Sequence, residues 1–267
     1  MSNKLITLPL FLALASDLPA PTKLLVTVVE QKSGSPVTGL KAEDFTVLDD
    51  KTPQPVESAE YATGILDVIL LLDTSLMGPM VEPMAENLIA QLQPKEQMAV
   101  VSFHSSADLI QDFTSSKDIL RRAVAQVKYG NTPRVLDALY ATVDGGFQNT
   151  TFRRVILLLT AGLEGNSRVR ETEVVTLSRR NGVSIFVVYV VGYEKSMFEM
   201  LARQTGGASF NLKDMKKTSS ELPGPRIFKV LRSHYTLTVA GSPSLGQKIR
   251  IEVKRPEKVF ASALPLD

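Results

Sequence analysis

The sequence predicts an α/β fold: a doubly wound, mainly parallel sheet flanked by helices, with a small β-sandwich formed by the two ends of the chain. Three observations carry this. Four near-continuous apolar runs, Leu66 to Asp73, Met98 to His104, Arg154 to Thr160 and Val183 to Val190, have the composition of strands buried on both faces. Helical patterns lie between and around them, and strand alternating with helix gives a parallel sheet. β-rich segments bounded by turn residues stand on either side of this middle region. With 267 residues, 44% of them apolar, the chain can bury a full core, as one large domain plus a smaller one.

The amino terminus reads as a targeting segment. Lys4 precedes an apolar stretch, Leu5 to Ala15, that ends in the small-x-small pattern Ala13-Leu14-Ala15 before Ser16. It is shorter than the roughly twenty residues a bilayer requires. Pro9 and poor alternation weigh against the other reading, a first buried strand. Export follows as the expectation, to the periplasm or the extracellular space, with no stable membrane span once the segment is removed. Residues 1–22 are thus assigned to the signal peptide and its junction. The chain has no cysteine, so oxidising conditions are compatible with it but leave no disulfide trace.

Residues 23–62 form the first part of the expected sandwich. Leu24 to Glu30 is β-rich, Ser33-Gly34-Ser35-Pro36 is turn chemistry, and Phe45 to Leu48 followed by Asp49-Asp50-Lys51 is another strand and turn. Residues 63–222 form the α/β unit. Its helical patterns run over Val81 to Leu92, Lys117 to Val127, Leu136 to Val143, Arg168 to Arg180 and Ser196 to Thr205. Gly206-Gly207 ends the last of these before a short strand over Ala208 to Leu212. Residues 223–267 return to strands, at His234 to Val239 and at Lys248 to Lys254, around the turn Gly241-Ser242-Pro243. Flanking strands need partners and chain ends tend to lie close together, so the two flanks are expected to pair.

Composition excludes several functions. A formal net charge of +2 with no long basic run argues against a nucleic-acid surface. There is no G-x-S-x-G elbow, no phosphate-binding G-x-x-x-x-G-K-[ST] loop and no G-x-G-x-x-G after a strand. The two histidines, His104 and His234, have no sequence-near partner of the kind a zinc site requires. A hydrolase would have to assemble Ser75, His104 and Asp73 or Asp108 in space, with only residue types to support it.

The most informative segment is Asp73-Thr74-Ser75-Leu76-Met77, at the carboxyl end of the run Leu66 to Leu72. Open α/β sheets gather ligands at that end of their strands. The setting Leu-Leu-Asp-x-Ser-x-Met resembles the metal-ion-dependent adhesion site (MIDAS) of von Willebrand factor type A domains, whose signature is Asp-x-Ser-x-Ser with a distant Thr and a distant Asp. Lys128 to Pro133 followed by Leu136-Asp137-Ala138-Leu139-Tyr140 is similar to that family's threonine loop and following helix. Val155 to Gly162 is similar to the strand that ends Leu-Thr-Asp-Gly, with Ala161 at the aspartate position. Ile185 to Gly192 and Leu201 to Gly207 resemble the next strand and helix. The flanks, with Pro36 to Leu40 and Asp44 to Leu48, resemble a bacterial group of exported proteins of this family common in acidobacteria.

The resemblance implies ligand positions at Asp73, Ser75, Met77, Thr132 and Ala161. Such a site holds Mg²⁺ or Mn²⁺ through hard oxygen ligands. Met77 offers a thioether and Ala161 offers no ligand, so a degenerate site is the primary expectation. That makes the protein a non-catalytic extracytoplasmic module, without a cofactor, that binds a protein partner with the loops above its sheet. The alternative is a true Mg²⁺- or Mn²⁺-dependent adhesion site on Asp73, Ser75, Thr132 and Glu164, the last as a substitute carboxylate. A hydrolase is the third. Asp73 and Ser75 also suit helix capping, and Thr132 before Pro133 suits an ordinary turn. Met77, Met80 and Met84 form a helix-spaced stripe, read as core or as an adaptable contact.

Overall fold

In the computed structural model, residues 21–218, 221–240 and 249–266 are described. The expected targeting segment and the turn at Gly241-Ser242-Pro243 lie outside them. The amino-terminal flank holds β1 (Thr22–Glu30), β2 (Phe45–Asp49), β3 (Thr52–Gln54) and β4 (Val56–Thr63). Then come β5 (Leu66–Asp73), α1 (Glu82–Ile89), β6 (Gln97–Phe103), β7 (Ala107–Thr114), α2 (Lys117–Ala125), α3 (Val135–Gly145) and β8 (Arg153–Thr160). The middle region closes with α4 (Glu171–Arg180), β9 (Val183–Tyr189), α5 (Lys195–Gln204), β10 (Ser209–Asn211), α6 (Leu212–Thr218) and α7 (Pro223–Arg232). The last strands are β11 (Ser233–Val239), β12 (Ile249–Val253) and β13 (Val259–Leu266).

The central sheet has the order β10-β9-β8-β5-β6-β7, parallel throughout except for β7. Every residue of β5 is buried. Its side chains alternate between two cores, as the period of a strand requires. Leu66, Val68, Leu70 and Leu72 meet α1, α2 and α7, whereas Ile69 and Leu71 meet α3, α4 and α5. This is the expected doubly wound architecture.

The sequence reading did not give β3, β4, α6 or β13, and two further elements, β7 and α7, bear on the core and its edge. β7 is an antiparallel edge strand whose side chains are largely half-buried or exposed, and Asp108 and Asp112 within it mask the strand pattern. Charged residues on an edge strand also discourage pairing with other chains. Pro223–Arg232, assigned from sequence to the β flank, is instead a helix whose Ile227, Phe228, Val230 and Leu231 enter the core beside α1. Pro223 and Pro225 lie in its first turn, where a missing N–H is tolerated. Gly224 permits the close approach, because its N–H donates to Asn87 Oδ1 at 2.8 Å and a Cβ there would lie 2.5 Å from the same atom.

The flanks form two antiparallel sheets, β13-β1-β11-β4 and β12-β2-β3. Leu24, Val26, Phe45, Val47, Leu237 and Ile251 pack between them. β1 pairs with β13 along its length, from Lys23 opposite Leu266 to Glu30 opposite Val259. The flanks are fastened to the α/β unit at the Gly206-Gly207 turn. Thr27 Oγ1 donates to Gly206 O at 2.8 Å and Ser262 Oγ to Gly207 O at 2.6 Å. A Cβ on Gly207 would lie 1.8 Å from Ile185 O, so this turn admits no side chain. Where α7 leads into β11, Arg232 grips buried Glu96 through Nε (2.7 Å) and Nη2 (2.6 Å). No helix among the described residues is long and apolar enough to cross a membrane.

Candidate functional site

β5 has β6 on one side and β8 on the other, and the connections from these strands diverge to opposite faces of the sheet. A crevice above the carboxyl end of β5 follows from that topology. Asp73 lies at its floor, fully buried. Oδ1 accepts the Ser75 N–H at 2.9 Å, and Oδ2 accepts the Thr160 hydroxyl at 2.8 Å and the Ala161 N–H at 3.0 Å. A carboxylate withdrawn from water needs such donors. All three come from the protein's own chain.

The loop after β5 is tied down on every side. Thr74 Oγ1 donates to Phe103 O, the Gly130 N–H to Thr74 O at 2.9 Å, and the Leu76 N–H to Asn131 O at 3.2 Å. Ser75 is buried, and its Oγ accepts the Met77 N–H at 3.4 Å. At Gly78 a Cβ would lie 2.4 Å from Asp73 O and 2.8 Å from the Tyr129 ring, so the ring occupies the space a side chain would take. Tyr129 donates to Glu82 Oε2 at 3.0 Å. Burial, reinforced by the Glu82 carboxylate, holds its phenol well above the ordinary value.

The remaining sequence-named positions are disposed differently. Ala161 is buried beside Asp73, contributing its N–H. Thr132 is exposed and rests its methyl group against Gly165 rather than hydrogen-bonding Asp73. The Glu164 carboxylate faces the amino terminus of α3: Oε2 accepts the Val135 N–H at 2.8 Å and the Leu136 N–H at 3.3 Å, and Oε1 accepts the Ser167 N–H at 2.8 Å. Carboxylates are favoured at that end of a helix. Of the methionine stripe, Met84 is core, while Met77 and Met80 are 40% and 45% exposed. Among the described residues no group of three or more His, Cys, Asp or Glu is arranged to hold a metal ion. His104 bonds the adjacent Ser105 through Nδ1 at 2.9 Å, and no hydrogen bond between His104 and Ser75 is found among the described residues.

Sequence reasoning singled out Met77 and Met80 as core or an adaptable contact, but not Thr160, Tyr129, Leu76 or Tyr193. Thr160 had a signal, since it is the polar terminus of an otherwise apolar strand adjacent to β5. The apolar surface had a weaker one. Leu76 is 75% exposed and Tyr193, in the loop after β9, is 77% exposed. Met77 and Met80 are exposed along the same short stretch as Leu76, in the loop after β5.

The family model for the von Willebrand factor type A domain matches residues 67–223. Rat von Willebrand factor is 24% identical over 208 residues, which is 72% of this chain and 45% of that protein. The chain therefore spans less than half the length of this relative. Among solved structures, proximal thread matrix protein 1 from the mussel byssus superposes with a TM-score of 0.53 at 18% identity, covering 73% of this chain and 50% of that one. Another structure of the mussel protein has a zinc-occupied MIDAS motif. A von Willebrand factor type A protein from Catenulispora acidiphila superposes with a TM-score of 0.53 at 10% identity, covering 92% of this chain and 74% of its own.

Proposed function

This chain belongs to the von Willebrand factor type A domain family, and on that premise we propose that it is a non-catalytic, extracytoplasmic module that docks a protein partner on the loops above its central sheet without a metal ion. One observation carries the reading. Both oxygens of Asp73, the one carboxylate at the family's metal positions, accept hydrogen bonds from Ser75, Thr160 and Ala161. Three of the roughly four lone-pair sites of that carboxylate are thereby taken, and where a hard cation needs further oxygen ligands Met77 supplies sulfur and Ala161 a methyl group. The donor set does not fit Mg²⁺ or Mn²⁺. Exposed Leu76, Met77 and Met80, directly beyond Asp73, supply an apolar contact surface in its place. The expected signal segment supports the extracytoplasmic location.

Thermal unfolding of the full chain in chelator, Mg²⁺ and Mn²⁺, repeated on Asp73→Ala, tests the metal part. A cation at a hundred times its dissociation constant adds about 2.7 kcal/mol to a folded state that alone binds it. The expected result is one midpoint for the wild type in all three conditions. A rise with Mn²⁺ or Mg²⁺ that Asp73→Ala removes would establish the metal-dependent adhesion site instead.

A further inference from the structure

A cleft of about 230 Å³ opens where the sandwich meets the β10 edge of the central sheet. One wall is β10 with the residue before it, Ala208 to Asn211, and the other is the turn after β1, Glu30 to Gly34. The buried apolar residues Val29, Phe210 and Phe260 also line it. Arg226 of α7 holds the walls at a fixed spacing: Nη1 donates to Ser33 O and Nη2 to Met215 O, in the helix that continues β10, each at 3.0 Å. One residue of the edge strand has main chain to spare. The Val187 N–H donates to Ala208 O at 2.9 Å, and Phe210 lies opposite Val188 in the same parallel register. Main-chain groups of successive strand residues point to alternate edges, so Ala208 and Phe210 bond β9 while Ser209 turns its N–H and C=O outward. Among the described residues no hydrogen bond to the Ser209 main chain from outside the sheet is found. Neither sign of charge prevails in the cleft. Its carboxylates are Glu30, Glu199 and Asp214 and its cations Lys32 and Lys195. Glu30 accepts the Ser33 hydroxyl at 2.6 Å, Glu199 pairs with Lys195 at 3.6 Å, and Asp214 pairs with Lys217 at 3.3 Å.

We propose that this cleft is a second binding site, which takes a short extended peptide segment of neutral composition as an added strand on β10. The main chain of the segment exchanges hydrogen bonds with the Ser209 N–H and C=O, and an aliphatic or aromatic side chain enters toward Val29, Phe210 and Phe260. An edge strand with unpaired main chain is a template for such addition, in which main-chain bonds supply affinity and a side-chain pocket supplies specificity. The opposite edge, β7, carries Asp108 and Asp112, which oppose it, whereas Ser209, Phe210 and Asn211 carry no charge. The balance of charge in the cleft gives neither an acidic nor a basic segment an advantage. Walls already held apart by Arg226 spare the segment the cost of opening them. The site is three strands from Asp73 in the sheet, about 14 Å at the usual strand spacing, and is independent of docking on the loops above.

The test screens an array of acetylated, amidated tetrapeptides, neutral, acidic and basic, for binding to the full chain. Retained sequences are titrated against wild type, Ser209→Ala, Ser209→Pro and Leu76→Ser/Met80→Ser. Proline is tolerated on an edge strand where its nitrogen faces outward, so Ser209→Pro removes the donor and leaves the ladder with β9 in place, which an unchanged thermal midpoint verifies. Retained peptides should be neutral and carry an apolar residue. Their Kd should weaken about tenfold or more with Ser209→Pro, or when one of their own amides is N-methylated, and stay within about twofold with Ser209→Ala and with Leu76→Ser/Met80→Ser. Retention of no peptide, of charged peptides alone, or of peptides indifferent to Ser209→Pro overturns the proposal. So does loss of binding in Leu76→Ser/Met80→Ser, which would put the peptides on the loops above the sheet. If Ser209→Pro lowers the midpoint, hydrogen exchange at the Ser209 amide of the wild type decides: slower exchange at peptide saturation supports the added strand, and unchanged exchange overturns it. A wild-type dimer that Ser209→Pro dissociates makes the occupant a second copy of the chain and overturns the peptide site.

Discussion

Thr160, at the end of β8, donates its hydroxyl to Asp73 Oδ2 at 2.8 Å, so two neighbouring strands of the sheet are joined at their carboxyl ends by a buried hydrogen bond to a carboxylate. The same Thr160 oxygen accepts the Gly162 N–H at 3.1 Å, which fixes the loop above. Thr160→Val keeps the shape and removes the donor. It should lower stability by about 1.5–3 kcal/mol, the range for a hydrogen bond to a charged group. Thr160→Ser should recover most of that, and equal urea midpoints for Val and wild type would contradict this role for the hydroxyl.

Gly78 and Gly130 make a matched pair of probes. A Cβ at Gly78 meets Asp73 O and the Tyr129 ring, whereas a Cβ at Gly130 has nothing within 4 Å. Gly78→Ala should cost about 1–3 kcal/mol through overpacking. Gly130→Ala should stay within about 0.5 kcal/mol of wild type, because its added Cβ meets no neighbouring atom. Tyrosine absorbance titration gives a second readout, because displacing Tyr129 from Glu82 should bring its phenol back toward the ordinary range.

The Arg232–Glu96 pair is expected to be costly to break on one side. Glu96 has 1% side-chain exposure and Arg232 15%. Arg232 also donates to Gln91 O at 2.7 Å, and its guanidinium lies over the Phe228 ring. Arg232→Met should destabilise by about 3–5 kcal/mol, because it leaves a buried charge uncompensated. Chemical denaturation of both single variants and of the double variant with Glu96→Gln checks this. A double variant no more damaged than Arg232→Met would locate the energy in the pair.

His234 should give stability a pH dependence. Burial lowers its pKa, and the Arg153 guanidinium acts in the same direction, against a weaker opposing effect of the Arg232 carbonyl. A base whose pKa is lower when folded takes up its proton more readily when unfolded. Its contribution is therefore present above the unfolded value of about 6.5 and is lost as pH falls through that value towards the folded one. The midpoint of His234→Gln should fall less than that of wild type between about pH 7.5 and 5.5. Parallel curves would remove His234 as the source.

The parallel strands were legible in the sequence because burial on both faces leaves a nearly unbroken apolar run. Leu66–Asp73 is observed with the expected bounds, and β6, β8 and β9 lie within a residue of theirs. β7 and α7 were hidden by local chemistry. Aspartates on an exposed edge and two prolines in a helix's first turn both imitate a loop. The candidate site was legible at the level of position. Asp73, Ser75 and Ala161 do converge, because their places at strand ends determine them. The direction of a side chain in a long loop is decided by tertiary partners, and so Glu164 turned to α3 and Thr132 to Gly165.

The antiparallel register of β1 with β13 has a mechanical meaning. Lys23 and Leu266 lie opposite one another at one end of the ladder. A pull applied across those two residues would unzip the pair rung by rung towards Glu30 and Val259, instead of loading every hydrogen bond in shear. Tension between the two flanks would thus peel the sandwich open from that end, and it would reach Thr27 and Ser262, and through them the Gly206-Gly207 turn, before Glu30 and Val259.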